Sequence, residues 1–174
     1  MNFFEKYNIR YKGLRTGHHN LNFELEDSFF RNFDDPECRG GSIRIEAELE
    51  KKDDLLTFVF TFSQSVKVVC DRCLEEFDLP LNFKTTLYVR FDEEGPQEDP
   101  EVLHLDPKEN KICLARYFME SIRLNLPIKR THPLDKNGES LCNMEMLRKL
   151  EQHLFKENKE NRDPRWDSLR DLLG

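Results

Sequence analysis

The sequence lacks the patterns that mark several common protein classes. No window approaches the roughly 18 consecutive apolar residues of a membrane helix, and no apolar block follows the first charges, so no signal peptide is predicted. The chain has no glycine-rich phosphate loop after a strand, no Gly-x-Ser-x-Gly and no His-Glu-x-x-His. A cytoplasmic protein is therefore expected, and nucleotide-dependent enzymes, serine hydrolases and zinc proteases are disfavoured.

The cysteines also argue against a disulfide framework. The chain has 5 cysteines, an odd number, and no secretory signal precedes them. In a reducing compartment such cysteines stay as thiols or bind a metal. The sequence therefore predicts free thiols or a metal site.

The negative charge is concentrated in one part of the chain. The formal net charge is -7, and the segment from Phe91 to Asn110 alone carries eight acids and one lysine. The stretch from Arg123 to Arg170 is mildly basic. Overall charge thus disfavours simple attraction to a polyanion, but two local surfaces of opposite sign are expected.

Alternation of apolar and polar residues predicts strands in the first half of the chain. The strongest example is Leu55–Phe62, where Leu56, Phe58, Phe60 and Phe62 share one face. Consecutive strands with short connections favour an antiparallel sheet or a partly closed β-barrel. The predicted strands are Leu21–Glu26, Ser42–Glu50, Leu55–Phe62, Val66–Val69 and Leu81–Phe91.

Helical spacing follows in the last third. Apolar residues from Ile112 to Leu126 recur at helical spacing, and Pro127 ends this helix. Asn143 is a suitable N-cap for a second helix, which should run to about Lys156. Strands followed by two or three C-terminal helices define an α+β fold. Residues 92–101 should form an acidic loop, and residues 157–174 a C-terminal tail with a short helix that carries Trp166, Leu169, Leu172 and Leu173.

The most informative motif is the Cys-x-x-Cys of Cys70 and Cys73, which lies between two predicted strands. A structural zinc site needs four ligands, so these two thiols would supply half of it. His132 and Cys142 are the candidates for the other half. In the simpler interpretation these residues only pack in strand, turn and loop. A thioredoxin-like redox pair is the third alternative, although Pro80 comes too soon for the helix that activates such thiols.

Two groups of charged side chains, the acidic loop and the basic residues, each allow two interpretations. The acidic loop could bind a basic protein or simply be solvated, and the basic residues could contact phosphates or form ordinary ion pairs. Cys38 and Cys113 have no partner at metal-ligand spacing, so packing or loop positions are predicted for them. The candidate partner-binding residues are Lys129, Arg130, Arg148, Lys149 and Arg165.

Three segments together resemble one known family. They are VVCDRCLEEFDLPL (68–81), RLNLPIKRTHP (123–133) and DPRWDSLRDLL (163–173), and GLRTGHHNLNFELEDSFF (13–30) also fits. The sequence resembles the large ribosomal RNA subunit accumulation protein family, the YceD-like proteins of bacteria and plastids. The resemblance implies one domain over 1–174 and a non-enzymatic role in ribosome biogenesis in a bacterial cell. The implied partner is precursor RNA of the large subunit or a basic ribosomal protein, without a nucleotide cofactor or a membrane.

The chain departs from this family at its second cysteine cluster. In the family a later cluster commonly joins the first Cys-x-x-Cys. Here Cys142 remains from that second cluster. His132 lies near a position where the family would have a cysteine, and Met144 or Glu145 lies where another cysteine would be. The expectation is therefore one structural zinc held by Cys70, Cys73, His132 and Cys142, or no cofactor at all.

Overall fold

A computed structural model describes residues 3–91 and 102–153 of the chain. The predicted acidic loop 92–101 and the predicted tail 157–174 lie outside the described residues. The helices are α1 (Asp27–Phe33), α2 (Ala115–Leu124) and α3 (Met144–His153). The strands are β1 (Asn8–Ile9), β2 (Gly17–Leu25), β3 (Gly40–Lys51), β4 (Leu55–Val69), β5 (Glu76–Pro80), β6 (Phe83–Phe91), β7 (Val102–Leu105) and β8 (Ile112–Cys113).

The described strands confirm the α+β fold. A six-stranded sheet has the order β2-β3-β4-β6-β7, and β5 pairs with the end of β4. All of its pairs are antiparallel except β6 with β7, which is parallel. The sheet of the described residues is open rather than closed into a barrel. The short strands β1 and β8 form a separate pair, which joins the N-terminal segment to the start of α2.

Strand β4 organises the sheet. Its first half pairs with β6 and its second half with β5, so one strand of 15 residues links two parts of the molecule. Phe58, Phe60 and Phe62 are buried on one face, as their alternation predicts. Their neighbours on the adjacent strand β3 are also buried: Ile45 pairs with Phe62, and Ala47 pairs with Phe60.

Helix α2 covers this apolar face. Phe118 packs edge-on against Phe60 and Phe62, with ring centroids 5.3 and 6.0 Å apart. The N-terminal segment adds Tyr7, whose ring lies 6.3 Å from that of Phe118. Such edge-to-face contacts add to the free energy gained by burying the rings. The core is therefore rich in aromatic side chains.

One helix boundary differs from the prediction, and one short helix has no predicted counterpart. Helix α2 begins at Ala115 rather than Ile112, because Ile112 pairs with Ile9 in the short sheet. Helix α1 precedes β3 and was not predicted, since seven residues are too few to show a helical period. Asp34, in the left-handed conformation with φ of 47°, ends α1. Of the described helices, none is long and apolar enough to cross a membrane.

Candidate metal centre

The connection between β4 and β5 forms a tight turn that carries both cysteines of the motif. Cys70 is the first residue after β4, and its amide donates to the Glu75 carbonyl at 2.9 Å. The Leu74 amide donates back to the Cys70 carbonyl, also at 2.9 Å. Leu74 adopts a positive φ of 61°, a conformation that favours glycine. The turn brings Cys70 and Cys73 together, and both are buried.

The chain after α2 brings the other two residues to this turn. Asp71 and Arg130 tie the segments together, because the amide of each donates to the other residue: Asp71 to the Arg130 carbonyl at 2.7 Å, and Arg130 to Asp71 Oδ2 at 2.6 Å. The chain then reverses between Leu134 and Ser140, which form an isolated β-bridge. This reversal places His132 and Cys142 beside the cysteine turn.

The four side chains lie close enough together to surround one metal ion. Their ligand atoms all lie within 4.8 Å of one another. Cys70 Sγ is 3.7 Å from Cys142 Sγ, and Cys73 Sγ is 3.4 Å from His132 Nδ1. With zinc–sulfur bonds of about 2.3 Å, a tetrahedron separates two sulfurs by about 3.8 Å and a sulfur from a nitrogen by about 3.5 Å. The cluster could therefore hold a metal ion, and its donor set fits zinc.

The surroundings affect the protonation of the thiols. Burial raises the pKa of Cys70, but hydrogen bonds from the backbone amides of Cys73 and Arg72 and from His132 outweigh it and bring that pKa to about 6. Burial also raises the pKa of Cys142, and the neighbouring Cys70 and Cys73 raise it further. Cys70 is thus suited to the thiolate form that binds metal ions.

Apolar side chains enclose the cluster. The Phe77 ring lies against the His132 ring with centroids 4.6 Å apart. Met146 and Leu147, from the first turns of α3, pack against the cysteines. A site with four protein ligands enclosed by apolar side chains is typical of structural zinc. Catalytic zinc instead keeps one coordination position open for water or substrate.

The start of α3 is fixed next to Cys142. Asn143 caps the helix as predicted, because its Oδ1 accepts from the amides of Glu145 and Met146 at 2.9 and 3.3 Å. Its Nδ2 donates to Glu75 Oε1 of the cysteine turn at 2.6 Å. One side chain therefore both caps α3 and ties it to the cysteine turn.

The candidate partner-binding residues have different surroundings. The side chain of Arg130 is only 20% exposed and lies between Glu37, at 3.4 Å, and Asp71, at 4.0 Å. Lys149 is paired with Glu145 at 2.8 Å. Within residues 3–91 and 102–153, Lys129 and Arg148 are exposed and form no ion pair, and Arg165 lies outside these ranges.

The sequence did not indicate the polar residues that hold this region together. Glu37 and Asp71 contact Arg130, and Glu75 contacts Asn143; the partners in each pair are at least 59 positions apart in the sequence. No local pattern distinguishes them from the other exposed acids. A spacing motif can indicate ligands, but it cannot indicate such distant partners.

The fold and the cluster define an α+β protein in which a Cys/His site joins a sheet to a C-terminal helix. The chain belongs to the YceD family, because the family model described as "Large ribosomal RNA subunit accumulation protein YceD" matches residues 58–173. This range begins in β4 and contains all four cluster residues. No curated protein and no solved structure matches the chain. The family description indicates a role in accumulation of large-subunit ribosomal RNA and does not favour the thiol redox alternative.

Proposed function

We propose that this protein is a non-enzymatic ribosome-biogenesis factor, which acts in the cytoplasm and supports accumulation of large-subunit ribosomal RNA by binding a component of the assembling subunit. The family match over residues 58–173 is the observation that carries this proposal. The sequence has no nucleophile constellation, and the cysteine–histidine cluster is enclosed by Phe77, Met146 and Leu147. These observations support a binding role rather than a catalytic one.

A basic ribosomal protein is a better candidate for the direct partner than precursor RNA. The described residues carry 22 lysines and arginines against 23 acids, and residues 92–101 add six acids and no cation. Of the basic residues proposed to contact phosphates, Arg130 and Lys149 already face carboxylates. Charge complementarity speeds encounter and selects partners, so the acidic segment favours a lysine- or arginine-rich protein.

Affinity purification from growing cells tests the partner. We expect a basic large-subunit protein to copurify in low salt, and to be lost as ionic strength rises past about 0.15 M, where the screening length is about 8 Å. A variant with the six acids of residues 92–101 changed to their amides should lose the partner. If precursor RNA from which all proteins have been removed still binds this protein, RNA is favoured as the direct partner instead.

The RNA alternative has its own test. If RNA is the direct ligand, Lys129→Ala combined with Arg148→Ala should weaken binding to purified precursor RNA. It should also flatten the salt dependence by about one unit per lost phosphate contact. Lys84→Ala, which removes an exposed cation of β6 outside the candidate residues, is the matched control. Unchanged affinity in the double variant would exclude these two residues as phosphate contacts.

We also propose that Cys70, Cys73, His132 and Cys142 hold one structural zinc ion. The ligand-atom spacing and the apolar enclosure support this assignment. Elemental analysis of protein purified without chelator should give close to one zinc per chain, and Cys73→Ser should abolish it. Cys113→Ser, at an exposed cysteine outside the cluster, should retain it. A metal-free and equally stable wild type would contradict the assignment.

Deleting the gene tests the biological role. We expect the ratio of large- to small-subunit ribosomal RNA to fall, and a plasmid copy to restore it. An unchanged ratio under all growth conditions would contradict the proposed function.

A further inference from the structure

Strand β2 forms one edge of the main sheet, and its outer side has no paired neighbour among residues 3–91 and 102–153. Its nine residues, Gly17–Leu25, pair one to one with β3 and with no other described strand. An unpaired edge of this length presents backbone amides and carbonyls that can pair with another strand. Leu21 and Phe23, on the inner face of β2, are only partly buried. The apolar core therefore reaches solvent along this edge.

The other edge strands of the sheet carry features that hinder pairing between molecules, whereas β2 does not. Natural edge strands avoid such pairing by being short or by carrying charges, proline or a bulge. Strand β5 has five residues, which include Glu76, Asp78 and Pro80, and β7 has only four. Strand β2 contains no lysine, arginine or proline, Glu24 is its single acid, and its pairing with β3 has no bulge. It is therefore the described edge best suited to accept a further strand.

The residues of β2 match themselves when the strand pairs antiparallel with a second copy. Because alternate residues face opposite sides of a strand, the inner faces of two copies join only if the twofold axis passes through a residue. Full pairing of all nine residues places that axis at Leu21. His18 then lies opposite Glu24 of the second copy, and Asn20 lies opposite Asn22. An imidazole N–H can donate to a carboxylate, and two amides can bond to each other.

The neighbouring strand β3 extends this match. Glu50 pairs with His18, and Arg44 pairs with Glu24, with 3.9 Å between the Arg44 guanidinium and the Glu24 carboxylate. A row across the two joined sheets would therefore run Glu50, His18, Glu24 and Arg44, without like charges side by side. Opposite charges at facing positions stabilise a sheet, and like charges destabilise it. This charge complementarity favours a second copy of the chain as the occupant of the edge.

We propose that two copies of this protein associate through β2, so that their two sheets join into one continuous sheet around a twofold axis at Leu21. The association places Leu21 of each copy against Leu21 of the other, and Phe23 against His19. It thereby covers the inner side chains that β2 leaves partly exposed. The inference depends neither on the metal nor on the ribosomal partner.

Sedimentation of the full-length protein measures this association. We expect the mass to rise from 20.9 kDa toward twice that value as the concentration increases. Asn20→Lys combined with Asn22→Lys would place like charges opposite each other across the axis, so this variant should stay monomeric. The monomer itself should tolerate the change, because both positions are exposed and pair with Glu48 and Glu46 of β3.

The matched control adds the same charge away from the edge. Thr57→Lys combined with Thr86→Lys changes the outer face of β4 and β6, and this variant should dimerise like the wild type. Two results would overturn the proposal: a wild type that stays monomeric at every concentration, or a dimer that survives Asn20→Lys with Asn22→Lys.

A cross-link tests the register separately. In a Cys113→Ser background, which removes the exposed native thiol, Leu21→Cys places one thiol of each copy at the axis. Directly opposed residues of antiparallel strands have α-carbons about 4.5–5.5 Å apart, which a disulfide can span. Mild oxidation should therefore give a covalent dimer that reduction reverses. Leu103→Cys, at the β7 edge, should remain monomeric under the same conditions. Cross-linking of Leu103→Cys but not of Leu21→Cys would assign the interface to the other edge and overturn the proposal.

Discussion

The sheet and the C-terminal module, which we define as residues 127–153, are held by different interactions. The sheet buries a continuous apolar face, in which Phe58, Phe60 and Phe62 of β4 meet Phe118 of α2. The module buries only Cys142 and contributes no large apolar side chain to the main core. It depends on the cysteine–histidine cluster and on a few polar ties. The sheet should therefore fold by itself, and the module should depend on the site.

The largest effect is expected in the sheet. Phe60→Asp puts a charge at a position that is 0% exposed, between the rings of Phe118 and Tyr117. Loss of a buried Phe costs about 3–5 kcal/mol before the buried charge is added, which approaches the whole stability of a small domain, about 5–15 kcal/mol. We expect no cooperative thermal transition by circular dichroism.

The control for this variant adds the same charge at a solvent-exposed position of the sheet. Thr86→Asp, at an exposed position of β6, should melt like the wild type. A soluble Phe60→Asp protein with a cooperative transition would contradict the packing of α2 on β4.

Disrupting the cysteine–histidine cluster should destabilise the module and leave the sheet unaffected. If zinc holds the cluster, a chelator or Cys73→Ser should speed hydrogen exchange throughout α3, because the contacts of Met146 and Leu147 and the hydrogen bond from Asn143 to Glu75 would then have to hold the helix without the metal. Strands β3 and β4 should keep their protection. Cys113→Ser is the matched control. Equal loss of protection in sheet and module would show that the two regions fold as one unit.

Removing the cap of α3 should have a smaller effect that is confined to the module. Asn143→Ala removes the acceptor for two amides and the donor to Glu75, and loss of a helix cap costs about 1 kcal/mol. Hydrogen exchange in α3 should rise by about the corresponding factor of 5. Asn143→Ser keeps a capping acceptor without adding a charge beside Glu75, so it should retain most of the protection. An equal loss in both variants would assign the effect to the Glu75 contact.

The smallest effect is expected at Arg130. Its ion pairs with Glu37 and Asp71 are 3.4 and 4.0 Å long, and both acids are well exposed, so Arg130→Ala should cost about 1 kcal/mol or less. The backbone bonds between Asp71 and Arg130 do not need the side chain. Urea unfolding compared with Lys129→Ala, an exposed neighbour, measures the difference. A loss several times larger would mean that Arg130 is a main attachment of the module.

Local periodicity determined much of the sheet. The alternation in Leu55–Phe62 predicted both the strand and its buried face. The helical spacing before Pro127 predicted α2, although it placed the start at Ile112 instead of Ala115. The order of strands and helices predicted the α+β fold. These features are readable because each repeats over several neighbouring residues. The short helix α1 and the parallel pairing of β7 have no such repeat, and the sequence did not indicate them.

The site shows the division between sequence and tertiary structure most clearly. The residue types and the Cys-x-x-Cys spacing by themselves indicated Cys70, Cys73, His132 and Cys142 as possible ligands. Only the folded chain decided that they converge, since 59 residues separate Cys73 from His132 and the Asp71–Arg130 pair joins the two segments. Likewise, only the fold decided that Arg130 faces two carboxylates. The ability of a side chain to bind a metal depends on its residue type, which the sequence states. Whether distant ligands come close together depends on how β4, α2 and the module pack.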